Sequence, residues 1–344
     1  MPVAGGGAAP PSDTTGMHVA TLPAPTALTL RLPEATVAGC LNCLSVDVEE
    51  YFQCEVFRRC VSRAEWTTYE RRARPALEQS AGWLADSRSH ATFYVLGWNV
   101  PHLAPLLRDL ARAGHEIACH GDGHEHLARL DSQQLREDLR RARGQLEDLV
   151  GVRPRGYRAP TFSVTRATAW ALDVILDAGF DYDASIFPIR HDRYGVPDAP
   201  VGPFWAVTPS GRRLLEFPPL TLAWGPLRVP VGGGGYLRLL PAGWLRRCIR
   251  ARQRRLGGPT PGAAAVMIYV HPWEFDPDQP RLPVGRLAQW RHRVNLHTTA
   301  DKLRRLLAEF RFDTAAAVLQ RVRVLGDLPE FALAPDGAPD SPPC

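Results

Sequence analysis

The sequence is nearly without lysine. Of its 41 lysine and arginine residues only Lys302 is a lysine, a bias we attribute to GC-rich coding and not to phosphate recognition. Nor is basic charge concentrated. A net charge of +5, with 22% charged residues, is too even a balance for a nucleic-acid binder, and no nucleic-acid partner is expected. No apolar run reaches the ~18 residues needed to cross a bilayer, so no transmembrane segment is expected. The opening stretch, MPVAGGGAAPPSDTTG, lacks the basic region and apolar core of a secretory signal, and a cytoplasmic location is the expectation. No internal repeat is present. Seven cysteines, at 40, 43, 54, 60, 119, 248 and 344, are odd in number and irregular in spacing, which excludes a secreted disulfide framework. Cys43 closes a Cys-x-x-Cys pair with no second pair and no histidines at finger spacing, so that pair is read as structural.

What is present is a chain of 344 residues, 45% of them hydrophobic, enough for one large domain or two small ones. Residues 1–38 are rich in Ala, Gly, Pro and Thr and have no period, and are expected to be a disordered tail. Residues 334–344 are expected to be a flexible tail, which leaves one domain over 39–333. Strand-length apolar runs predict strands at Asn42–Val48, Ala91–Leu96, Glu116–Cys119, Pro154–Arg158, Tyr182–Ile186, Leu214–Phe217 and Ala265–Val270. Between them, Leu103–Ala113, Ser132–Leu149 and Thr165–Ala178 carry helical spacing, and Gly114 and Gly179 stand where C-terminal caps belong. This alternation predicts an α/β fold, a parallel sheet with helices outside. About seven strands is barrel-sized, and chemistry in such folds sits at the strand C-termini.

The polar residues that stand out fall there. After the first strand come Asp47, Glu49 and Glu50. Positions 47 and 49 share a face, and three clustered acids repel unless a cation or proton is shared. A charged strand end facing water is the plainer alternative. After the third strand, His120 and His124 stand at i and i+4, in a turn because Gly121 and Gly123 oppose a helix. With an earlier carboxylate they make a two-histidine, one-carboxylate set with coordination positions left open. Arg158 ends the fourth strand before a Pro160 turn, where it can orient a carboxylate or serve as an ordinary surface partner. His271 ends the last strand beside Trp273, either as a functional group or as a core histidine satisfied by backbone.

In this order the motifs resemble carbohydrate esterase family 4, the polysaccharide deacetylases with the nodulation-factor deacetylase homology domain, over about residues 40–275. The stretches Ser45–Gln53, Thr92–Trp98, Gly114–Gly121, Gly156–Ser163, Pro188–Pro197, Pro230–Leu240 and Tyr269–Arg281 look closest to a subgroup of bacterial exopolysaccharide loci, often beside exosortase systems. Arg291–Phe312 resembles that subgroup's C-terminal extension, about 276–333. The resemblance implies a distorted (β/α)7-type barrel that hydrolyses N-acetyl groups on a polysaccharide or oligosaccharide. It implies a divalent metal, with Zn²⁺ as the leading candidate and Co²⁺ or another ion as substitutes. Asp47 matches the catalytic base, Glu49, His120 and His124 the metal ligands, Arg158 the residue that holds the base, and His271 the general acid. Pro160 and Phe162 match a groove wall. Arg193, Tyr194, Tyr236 and Trp273 are candidate substrate contacts, Tyr236 following a run of four glycines expected to approach a ligand.

Three departures stand beside this. The first motif reads Asp-x-Glu where adjacent aspartates are commoner, which leaves Glu50 as a rival ligand. Asp122 brings a further carboxylate toward the metal. Cys119 precedes His120 where a smaller residue is usual, and is either a core thiol or a soft ligand. Two other functions remain compatible with the sequence: a metal-independent amidohydrolase acting on a small ureide, resembling allantoinase, and a non-catalytic polysaccharide-binding relative.

Overall fold

The computed structural model describes residues 41–191, 193–224, 227–257 and 261–333, with Met1 and Pro2. The two expected tails otherwise lie outside the described residues, as does the first cysteine of the Cys-x-x-Cys pair. The fold is that of the unit spanning residues 35–344. Its strands are β1 (Asn42–Val48), β2 (Thr92–Val95), β3 (Glu116–Cys119), β4 (Gly156–Tyr157), β5 (Tyr182–Asp183), β6 (Phe204–Val207), β7 (Arg213–Glu216), β8 (Thr221–Trp224), β9 (Leu227–Pro230), β10 (Val266–Val270) and β11 (Glu330–Ala332). The helices are α1 (Ala73–Asp86), α2 (Val100–Arg112), α3 (Ser132–Gln145), α4 (Ala171–Asp177), α5 (Gly235–Leu239), α6 (Ala242–Gln253), α7 (Arg286–Arg293), α8 (Leu296–Glu309) and α9 (Ala315–Leu325).

The main sheet runs β10-β1-β2-β3-β4-β5-β7-β6-β11. Its first seven members are the seven strands predicted from the sequence, all parallel to their neighbours. β6 then pairs antiparallel to β7, and β11 pairs parallel to β6. Backbone bonds bridge the gap between β10 and the chain that follows β7: Leu220 N–H donates to Met267 O (2.9 Å) and Tyr269 N–H to Gly232 O (2.7 Å). The architecture is that of a distorted (β/α) barrel whose seam is closed by loop backbone.

Period-two alternation sorts the side chains. Leu44, Val46, Phe93, Val95, Ile117, Cys119, Val266, Ile268 and Val270 pack outward under the helices. Cys43, Tyr94, Ala118 and Met267 pack inward. The inward parity carries polar residues at the C-terminal ends of four strands: Ser45 and Asp47 within β1 and Glu49 just past it, His120 after β3, Arg158 after β4 and His271 after β10. α2 shows the matching outer layer. Its buried Leu103, Leu106, Leu107 and Leu110 make one helical stripe against the sheet. α3 is started by a reciprocal cap, Asp131 accepting from Gln134 N–H (2.8 Å) and Gln134 from Asp131 N–H (2.9 Å), an arrangement worth ~1 kcal/mol.

Candidate active site

Five of the sequence-selected residues converge. Glu49 Oε1 lies 3.0 Å from His120 Nε2 and 2.9 Å from His124 Nε2. One ligand-type atom from each of Glu49, His120 and His124 falls within 4.8 Å of the others, and the same holds for Asp47, Glu49 and His271. All but His271 are buried.

The turn that carries the two histidines is built for the purpose. His120 N–H donates to Val95 O, and Gly97 and Trp98 N–H donate to the carbonyls of Gly121 and Asp122. Asp138, on the buried face of α3, accepts from Asp122 N–H (2.9 Å) and Gly123 N–H (3.2 Å). His124 holds a left-handed backbone, φ +52°, as do Thr161 and Phe162 in the adjoining loop (φ +60° and +51°). Such conformations cost of order 1–3 kcal/mol each and persist only where the surroundings over-determine them.

The donor set fits a divalent cation. His120 Nδ1 lies 2.7 Å from the carbonyl oxygen of Arg158, a group that only accepts, so Nδ1 carries the proton. In the neutral ring Nε2 then turns its lone pair on the Glu49 carboxylate, and the pair repels unless positive charge lies between them. The second nitrogen held by a carbonyl is the arrangement that orients imidazole ligands, and two histidines with one carboxylate is a donor set divalent metals accept. Charge already runs that way. With the rings protonated instead, burial raises the Glu49 carboxyl but the His124 charge and the hydrogen bonds of both histidines outweigh it and hold the group well below the usual range, so the cluster suits positive charge in either form.

Arg158 is wholly buried. Its Nη1 donates to Asp47 Oδ1 (2.5 Å) and Ser45 Oγ (2.9 Å), its Nε to Ala184 O (3.2 Å), and its Nη2 lies 2.8 Å from Met267 Sδ. The guanidinium lies 4.0 Å from the centre of the Tyr94 ring and 5.1 Å from that of Phe162. The other Asp47 oxygen, Oδ2, faces His271 Nε2 at 3.9 Å. His271 Nδ1 lies 3.1 Å from Glu274 Oε2, which also accepts the His271 N–H (3.0 Å). Burial opposes a charged ring there, but the Glu274 hydrogen bond and the charges of Glu49, Glu274 and Asp47 prevail and raise its pKa to about 9. The arrangement can therefore offer an ionised carboxylate and a protonated imidazole on either side of one small volume.

Several expectations are corrected. Glu50 turns away from the histidines, its Oε2 accepting from the N–H groups of Arg72 (2.7 Å) and Ala73 (3.0 Å) at the start of α1. Asp122 is taken by Arg63 (2.7 Å) and Arg141 (3.3 Å). The Cys119 thiol is buried, outside both ligand groups, and receives Gly121 N–H at 3.4 Å. The glycine run approaches β10: a Cβ on Gly233 would meet Tyr269 O at 1.9 Å. Trp273 is stacked on His271 and His292, with centroids 5.0 and 4.3 Å apart, and is buried, so its ring is packed and not an open sugar platform. Pro160 and Phe162 line the same loop wall, Phe162 against Tyr269 (4.8 Å) and Phe187 (5.2 Å). Tyr194 joins that aromatic group through Phe187, Arg193 is exposed with its carbonyl receiving His126, and Tyr236 is half-buried on α5.

Three residues escaped the sequence reading. Glu274 was legible as the third residue after His271, a capping-box spacing. Asp138 was legible as a charge on the apolar stripe of α3. Arg238, whose Nε lies 2.9 Å from Glu274 Oε1, carried no signal beyond being an arginine between leucines. A cavity of about 230 Å³ adjoins His124 on the side of residues 52–66, lined among others by Phe52, Gln53, Glu55, Arg58 and Trp66.

The family described as polysaccharide deacetylase matches residues 64–182, and a domain of unknown function, DUF3473, matches residues 184–320. Among curated proteins, a peptidoglycan deacetylase of Helicobacter pylori is 28% identical over 116 residues, 34% of this chain and 38% of that protein. The uncharacterized protein YlxY of Bacillus subtilis is 30% identical over 91 residues, 26% of this chain and 28% of that protein. The chain thus matches well under half the length of these relatives. A solved structure described as a polysaccharide deacetylase from Mycobacterium smegmatis superposes with a TM-score of 0.55 at 20% identity, covering 86% of this chain and 95% of that one, which supports the fold. The two family matches meet inside β5, so one continuous sheet carries both, and the chain is similar to the polysaccharide deacetylase family over residues 64–182 and to DUF3473 over residues 184–320.

Proposed function

We propose that the protein hydrolyses N-acetyl groups on a polysaccharide or oligosaccharide, with an exopolysaccharide as the polymer and Zn²⁺ as the metal. The observation that carries this reading is the junction at Asp47. One oxygen is fixed by Arg158 and the other faces His271, beside the Glu49, His120 and His124 set. Those three residues would hold the metal, which when bound supplies a Lewis acid for water and for an acetamide carbonyl. Asp47, kept in place by the buried Arg158, takes the proton from the attacking water. His271, protonated through its Glu274 contact, returns a proton to the nitrogen as the C–N bond breaks, which an amine leaving group requires. The buried cation-seeking set favours this over a metal-independent ureide hydrolase, and the acid and base on either side favour it over a binding protein. No described helix is long and apolar enough to cross a membrane.

The test is a screen of the purified protein for acetate release from N-acetylglucosamine oligomers and from a native bacterial exopolysaccharide, with a free ureide alongside. Acetate from either glycan supports the reading. Turnover of the ureide alone overturns it.

A further inference from the structure

We propose that Arg238 is a positioning residue for His271, acting through Glu274, and that the region of unknown function thereby sets the geometry of the proton donor. The inference rests on the proposed deacetylase reading. Glu274 is fully buried: its Oε2 accepts from the backbone N–H of His271 and faces the His271 ring, while Oε1 forms an ion pair with Arg238 Nε at 2.9 Å, outside hydrogen-bond geometry. A buried carboxyl without a cation partner takes a proton and ceases to be a two-sided acceptor. Arg238 removes that option. It is itself buried, and Nη1 donates to the carbonyls of Arg291 (3.1 Å) and His292 at the end of α7. That helix end carries partial negative charge, which suits a guanidinium. The guanidinium is thus pinned on one side by α7 and on the other sets its charge against Glu274.

The same loop is registered to the strand that carries the acid. Gly232 O accepts from Tyr269 N–H, and Tyr269 O accepts from Gly234 N–H (3.2 Å). Tyr269 precedes His271 by two residues, and Arg238 follows Gly234 by four. The glycines at 232–234 allow this approach, since a Cβ on any of them would lie 3.0 Å or less from its nearest neighbour. Arg238 makes no hydrogen bond or ion pair with Asp47, Glu49, His120 or His124; it reaches His271 through Glu274, and it also lies 5.1 Å from the centre of the Trp273 ring that stacks on His271. Arg238, Tyr269, His271 and Glu274 all lie within residues 184–320, the stretch matched by DUF3473.

The experiment compares the metal-loaded wild type with Arg238→Gln and Arg238→Lys on two substrates: an N-acetylglucosamine oligomer, and 4-nitrophenyl acetate, whose leaving group needs no proton. The expected result for Arg238→Gln is a kcat on the amide lowered about 10- to 100-fold, as for other residues that orient a functional histidine. KM, metal content and ester hydrolysis should stay near wild type. Arg238→Lys, which keeps the charge without the guanidinium, should recover part of the loss and also serves if the glutamine variant does not fold. Equal losses on both substrates, or no loss on the amide, would overturn the proposal. If the wild type releases no acetate from any N-acetyl glycan, the deacetylase reading fails separately. The positioning claim is then decided by proton NMR. A far-downfield His271 Nδ1–H signal present in wild type and lost in Arg238→Gln upholds it, and a signal unchanged by the substitution overturns it.

Discussion

Arg158 and Asp47 stand 111 residues apart in sequence and meet at 2.5 Å, guanidinium Nη1 to carboxylate Oδ1, with both side chains buried on the inner face of the barrel. Asp47 projects from β1, and Arg158 follows β4. Breaking such a pair by removing one partner leaves an unpaired charge in the core. Arg158→Met should lower stability by about 3–5 kcal/mol, read as a shift in the urea midpoint at unchanged slope. A loss below 1 kcal/mol would mean that Asp47 finds water or another partner.

The two acids of β1 should separate in their effects. Asp47→Asn is expected to keep the bound metal while losing most acetate release, because its contacts are Arg158 and His271. Glu49→Gln is expected to lose the metal, because Glu49 is the carboxylate that faces both imidazoles. Elemental analysis of dialysed protein checks both, and the reverse pattern would exchange the two roles.

Glu50 offers the complementary control. Its carboxylate serves the first N–H groups of α1, so Glu50→Ala should cost about 1–2 kcal/mol, as the loss of a helix cap does. Metal content should stay at the wild-type level. A folded variant without metal would restore Glu50 as a ligand.

The outline of the fold was largely legible. Seven strands follow from apolar runs because parallel strands covered on both faces must be apolar along their length, and β1 and β3 begin and end at the residues expected. β6, β8, β9 and β11 were not legible. They pair antiparallel or stand at a sheet edge, outside the strand–helix alternation that marked the other seven. Of the candidate ligands, Glu49 and His120 were legible because each follows the last residue of an apolar strand, and His124 because it stands four residues after His120. Arg238 was not, because its meaning lies in Glu274 and the end of α7, both distant in sequence.

Asp183 and Glu216 are both fully buried and interact, and burial drives both carboxyls toward the protonated form. Burial, then the Asp183 charge, drives the Glu216 pKa well above its usual range, while that of Asp183 rises to about 6, burial being the cause. A folded-state pKa above the unfolded value gives stability that is complete below the unfolded pKa, about 4.3, and is lost as pH rises toward the folded one. Glu216→Gln, a mimic of the protonated group, should match wild type near pH 4 and gain on it steadily above that. Urea melts across pH 4–8 read the difference, and a constant offset would contradict the raised pKa of Glu216.

The central claim is that Glu49, His120 and His124 hold a divalent metal on which deacetylation depends, and one titration tests it most directly. Purified protein is stripped with a chelator, shown by elemental analysis to be metal-free, and assayed for acetate release from an N-acetylated oligosaccharide as Zn²⁺ is returned. The account predicts no release from the stripped protein and recovery that saturates at one ion per chain, with His120→Ala failing to recover at any zinc concentration. Full activity in the rigorously metal-free protein would contradict it.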